Sequence, residues 1–128
     1  MPRVIALRIL LDRNVPVKVR GFLSKHEVRT ISEMNWSPRL KNGELLTAAE
    51  AAGFNVLLTC DQNIRYQQNL TGRKLALVIL TSNLWPSVRN CGSVLALAVE
   101  NATAGSCQAI TVPLPPLPRK TKHNERLR

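Results

Sequence analysis

Aromatic side chains make up only 4% of this 128-residue chain, and eight Asp and Glu face eighteen Lys and Arg. With so few rings, a core has to be built from Leu, Val, Ile and Ala, within a hydrophobic content of 45%. The three cysteines, Cys60, Cys91 and Cys107, are odd in number and far apart. That spacing speaks against a disulfide framework or zinc knuckle and for reduced thiols. His26 and His123 have no partner in spacing, so neither is expected to ligate a metal. No apolar run is long enough to span a bilayer, and the N-terminus lacks the long uncharged stretch of a signal peptide. The expectation is one cytoplasmic domain with no membrane segment, large enough for a core without cross-links.

The shortage of acids leaves a net charge of +10, and the C-terminal tail contributes only part of it. After Pro118, "RKTKHNERLR" carries five basic residues and one acid, leaving thirteen basic and seven acidic residues elsewhere. The folded part is therefore basic in its own right, which suits a polyanionic partner, nucleic acid above all. The stretch "VPLPPLPR" has polyproline character and reads as a stiff exit from the fold. The domain is placed at residues 1–112, and a Pro-rich exit with a disordered basic tail at 113–128.

Strand and helix signals alternate along the domain. Val4 to Leu11, Val28 to Ile31, Phe54 to Thr59, Leu75 to Leu80 and Ala109 to Val112 read as strands. Asn14 and Pro16 suit the start of a helix with Val15, Val19, Phe22 and Leu23 on one face. Asn42 is the expected cap of a second helix that Gly53 stops, and Ser87 to Ala104 is the longest helical stretch. Alternating units of this kind predict an α/β fold, a three-layer α/β/α sandwich on a mostly parallel sheet. The predicted strand order is 2-1-3-4, with a fifth strand at an edge.

The strand runs "VIALRILLDRN" and "FNVLLTCDQN" each stop on an aspartate, Asp12 and Asp61. Open α/β sheets gather their chemistry just beyond the carboxyl ends of the strands. For Asp12 and Asp61 to meet there the first and third strands must be neighbours, which the order 2-1-3-4 provides, and two carboxylates so placed are a donor set suited to Mg²⁺ or Mn²⁺. The second helix begins near the same edge and carries Glu44 in its first turn. Asn83 follows the fourth strand along that edge. Arg13, Arg65, Tyr66, Gln67, Gln68, Arg73 and Lys74 are expected at or near it, offering guanidinium forks, amides and one ring for phosphates and unstacked bases. Taken singly, each of these features has an ordinary structural use: aspartate as a cap, glutamate on a helix dipole, charge in a solvated loop.

The segments "LLDRNVP", "WSPRLKNGELLTAAEAAGFNVLLTCDQN" and "RYQQNLTGRKLALVIL" together resemble the compact PIN-like branch of the PIN-domain ribonuclease superfamily, over roughly Ile9 to Trp85. The resemblance implies a Mg²⁺- or Mn²⁺-dependent endoribonuclease, often the toxin of a toxin–antitoxin pair. It matches Asp12 to the first metal aspartate, Glu44 to the helical acid and Asp61 to the aspartate after the later strand, with Asn83 a loose match to the fourth polar position. Arg13 stands where many relatives continue with a second acid, and Asn63 where the last motif often has another. The partners expected are RNA and, through the resemblance, a small antitoxin protein, with a homodimer left open. The alternative is a non-catalytic nucleic-acid- or partner-binding module on the same fold. A degenerate phospho-acceptor receiver domain is a remote third reading, because Arg13 replaces its second acid and no lysine ends the fifth strand.

Overall fold

The computed structural model describes residues 6–40, 42–64 and 69–114. Arg65, Tyr66, Gln67 and Gln68 therefore lie outside the described residues, as does the tail beyond Leu114. The elements in order are β1 (Arg8–Leu11), a 3₁₀ helix (Val17–Leu23), β2 (Glu27–Thr30), a 3₁₀ turn (Ile31–Met34), α1 (Asn42–Ala51), β3 (Val56–Thr59) and β4 (Ala76–Leu80). Then come α2 (Trp85–Val88), a 3₁₀ turn (Arg89–Cys91), α3 (Gly92–Glu100) and β5 (Cys107–Ile110). The five strands form one all-parallel sheet in the order β2-β1-β3-β4-β5. The expected order and the edge position of the fifth strand both hold.

Strand parity explains the layers. Ile9, Leu11, Val56, Leu58, Val78 and Leu80 point to one face, under Val19, Leu23, Val88, Leu95 and Val99. Leu10, Leu57, Leu77 and Ile79 point to the other, under Leu45, Leu46 and Ala49 of α1. Both faces are covered, so β3 and β4 are buried at every residue and read as unbroken apolar runs. Among the described residues, no helix is long and apolar enough to cross a membrane.

Three local expectations are corrected. The first helical segment is 3₁₀ rather than α, because Val17, Val19 and Gly21 are weak helix formers. Pro16, not Asn14, occupies its N-cap, and the Asn14 side chain instead accepts the Cys60 N–H at 3.0 Å. The stretch expected as one helix over Ser87 to Ala104 starts earlier, at Trp85 with Pro86 in its first turn, tightens at Arg89–Cys91 and ends at Glu100. The expected glycine stop does form: Gly53 takes φ +85° and Phe54 N–H returns to the Ala49 carbonyl at 3.0 Å.

At the amino edge, the C-terminal half of α1 is tied to the start of β4. Glu50 accepts the Arg73 Nη1 at 2.6 Å, the Lys74 N–H at 2.5 Å and the Leu75 N–H at 3.2 Å. Burial alone would raise the Glu50 pKa; the two backbone N–H groups and Arg73 outweigh it and hold the carboxyl below its ordinary value of 4.5. Because the folded value is depressed, this stabilisation is fully present above pH 4.5 and disappears as pH falls through the folded value. Glu50→Ala should cost about 2–3 kcal/mol near neutral pH. Urea melts of the two proteins should converge on acidification, since the wild type alone has this carboxylate to protonate.

Candidate functional site: two aspartates joined by a threonine

The β1–β3 pairing sets Leu11 opposite Leu58. One step further, Asp12 N–H still donates to the Leu58 carbonyl, at 2.9 Å, so Asp12 and Thr59 share the next rung. By parity both leave the sheet on the α1 side, and Asp61 follows in the turn two residues after Thr59. The Thr59 hydroxyl, fully buried, donates to Asp12 Oδ2 at 2.8 Å and accepts the Asp61 N–H at 3.0 Å. It therefore connects the two aspartates through one neutral group. Asp12 Oδ1 accepts the Arg13 N–H at 2.8 Å, and Asp61 Oδ1 accepts the Asn63 N–H at 3.0 Å. Among the described residues, each carboxylate is thus held by short-range hydrogen bonds rather than by an ion pair.

The charge pattern singles out the same residues. Glu27 pairs with Arg8 and Arg29, Glu33 with Arg20, Glu50 with Arg73, and Glu100 lies 3.9 Å from His26. Among the described residues, Asp12, Glu44 and Asp61 are the acids that take part in no ion pair. In a chain this basic, three uncompensated acids need an explanation other than scarcity of partners.

Asp12 and Asp61 follow the adjacent strands β1 and β3 and are linked through Thr59, whereas Glu44 is exposed and lines a groove of about 570 Å³ along α1 with Gly43, Thr47 and Ala48. The inward arc of α1 is taken by Leu45, Leu46 and Ala49, which turns Glu44 away from the aspartates. Among the described residues, no group of three His, Cys, Asp or Glu is placed to hold a metal ion.

The basic residues also divide. Arg13 is exposed beside Asp12, yet its guanidinium reaches the Ser37 carbonyl at 3.4 Å and leaves the carboxylate unneutralised. Arg73 and Lys74 are corrected: they precede β4 and stand at the amino edge, held to Glu50, across the sheet from Asp61. A parallel strand has to start where its neighbour started, so the chain crosses back over the sheet between Asp61 and Arg73. Asn83 stays on the carboxyl edge, exposed, with no hydrogen bond among the described residues.

Thr59 escaped the sequence reading, although a signal was present: one polar residue closing the apolar run "NVLLT" two places before Asp61. Cys60 lies between them, its thiol 3.7 Å from the Ser82 carbonyl. Burial first, and then the Asp12 charge, push its pKa up from 9.0 to about 11. The thiol stays protonated at neutral pH and is no nucleophile there.

Comparison with protein-family models, with curated proteins and with solved structures returns no match.

Because Asp12 is the second contributor to the Cys60 shift, that thiol reports on the carboxylate. Asp12→Asn should lower the Cys60 pKa from about 11 while leaving it above 9.0, since burial persists. Alkylation rate against pH, followed at Cys60 by mass spectrometry, gives the value. Thr59→Val should move the same profile by freeing Asp12, and Thr59→Ser should restore it. An unmoved profile in Thr59→Val would mean that the hydroxyl does not hold the carboxylate.

Proposed function

We propose that this chain is a PIN-like, metal-dependent endoribonuclease of the cytoplasm, with Asp12 and Asp61 as its metal-holding pair. The observation that carries this reading is the neutral Thr59 hydroxyl, which holds the Asp12 carboxylate and the Asp61 backbone N–H at the carboxyl edge, while neither aspartate forms an ion pair among the described residues. The strand order places them where the chain leaves β1 in opposite directions, the usual ligand position in such sheets.

The donor set fits Mg²⁺ or Mn²⁺. Each bonded oxygen of Asp12 and Asp61 accepts one described hydrogen bond and retains further acceptor capacity. Mg²⁺ is commonly held by one or two carboxylates, with water and substrate phosphate completing its shell. Such an ion, once bound, supplies charge against a phosphate and lowers the pKa of water. The protein's own contribution is positional: Thr59 fixes the Asp12 rotamer, the Asn63 N–H fixes Asp61, and Arg13 adds positive charge beside the pair without closing on it. The excess of basic residues suits RNA as the polyanion.

A second reading has its own support. With Glu44 in a separate groove and Arg13 following Asp12, the acid set is two where the resemblance implies more. That favours a module that binds RNA, or a small antitoxin-like protein, without cleaving.

Purified protein and a single-stranded RNA separate the two. Cleavage should require Mn²⁺ or Mg²⁺ and fall at least about a hundredfold in Asp12→Asn and in Asp61→Asn, the scale of a lost activating group. Metal at ten times its dissociation constant should stabilise the wild type by about 1.4 kcal/mol, a shift of a few degrees in Tm that both variants lose. RNA binding with neither cleavage nor a metal-dependent Tm shift would establish the second reading instead.

A further inference from the structure

Beside the aspartate pair, between the carboxyl ends of β1 and β2, lies a crevice of about 390 Å³ with Asp12 on its wall. We propose that this crevice is a mononucleotide subsite, taking the base and ribose of one RNA residue with its phosphate at Arg13. The proposal rests on the ribonuclease reading for its biological ligand, but its physical case is local. Two other cavities among the described residues, along α1 and beside Phe22, touch neither aspartate.

The volume falls in the range of small-ligand pockets, roughly 300–1,000 Å³. Its apolar wall is made by Val15 and Ile31, both buried, and by Val17, which is 51% exposed. Val17 therefore offers a large apolar surface at the crevice that the fold itself does not cover. The polar groups are specific too. Among the described residues Arg13 has no carboxylate partner and spends one weak bond on the Ser37 carbonyl, so most of its donors are open to a phosphate.

The crevice is also built to keep its shape. Glu33 caps the turn Ile31–Met34 reciprocally with Thr30. It also bonds Arg20, which holds its carboxyl below its ordinary value, with the Thr30 N–H adding to the effect. The Arg20 charge is thereby neutralised, leaving Arg13 as the positive group for an anion. An aliphatic wall beside a guanidinium with open donors matches a nucleotide better than either an inorganic anion or an apolar molecule.

The test uses 5′-AMP in EDTA, read by backbone amide shifts of the full-length protein, with adenosine and inorganic phosphate as separate arms. Saturable shifts should appear at residues 13–20 and 30–33, with adenosine weaker and phosphate alone weaker still. Arg13→Ala should weaken AMP about tenfold, the effect of one lost charged hydrogen bond. Val17→Asp should abolish saturation with Tm unchanged, since Val17 contributes little to the core. Leu97→Ser, exposed on α3, should bind as wild type. Phosphate reproducing every shift while adenosine gives none would overturn the subsite, as would AMP shifts confined to α1 or absent at millimolar ligand. The two readings fail separately. AMP binding retained in Asp12→Asn, without any RNA cleavage by wild type, upholds the crevice and removes the nuclease. Metal-dependent cleavage without AMP binding does the reverse.

Discussion

The parallel pairing of β1 with β3 is the constraint from which the rest of the molecule follows. It joins strands separated by a whole strand and helix, and its register puts Leu11 against Leu58. Both central strands are then covered on two faces, which demands helices above and below and forces each connection to cross the sheet. The same register decides what stands at the strand ends. Asp12 falls beside Thr59, and a threonine hydroxyl both donates and accepts. The contact therefore extends to the Asp61 N–H, so one hydroxyl links the Asp12 carboxylate to the Asp61 backbone.

The acids show a division of labour. Four of them are used as structure: Glu27, Glu33, Glu50 and Glu100 each stand near a basic side chain. Glu50 binds α1 to β4 at the amino edge, and Glu33 secures the turn after β2. The acids at the carboxyl edge receive N–H and O–H groups instead. This difference matters because a guanidinium would neutralise Asp12 and remove its attraction for a cation. Arg13, next in sequence, is turned to a main-chain carbonyl and leaves that attraction intact.

Much of this was readable from residue order. The apolar runs located three of the strands, two of them ending in aspartate, and the turn residue Gly53 located the end of α1. What depended on three dimensions was not readable. Arg73 and Lys74 follow Asp61 closely in sequence, yet a parallel neighbour must restart at the opposite edge, so sequence proximity implied the wrong side. Asn14 had the composition of a cap, but the Cys60 N–H after β3 needed an acceptor and Asn14 supplies it. Glu44 is in the first helical turn as expected; a rotation of one residue relative to Leu45 was enough to send its side chain into another groove. Helical phase, unlike strand order, was only loosely constrained by the pattern "NGELLTAAEA".

The buried polar residue in the sheet follows the same logic as the free acids. Thr59 is fully buried at the end of β3, where valine would pack equally well by volume. Burying a hydroxyl is unfavourable unless it is bonded, and here both of its bonds go to Asp12 and Asp61. A threonine kept only for stability has no reason to end on two carboxylate-bearing residues when an apolar side chain avoids the desolvation altogether. Its presence is explained if the orientation of Asp12 is what the position serves. Cys60, adjacent and held neutral by burial and by the Asp12 charge, adds no competing anion to the pair. The carboxyl edge therefore carries two aspartates held by N–H and O–H donors, in a protein whose other described acids, Glu44 apart, stand near basic side chains.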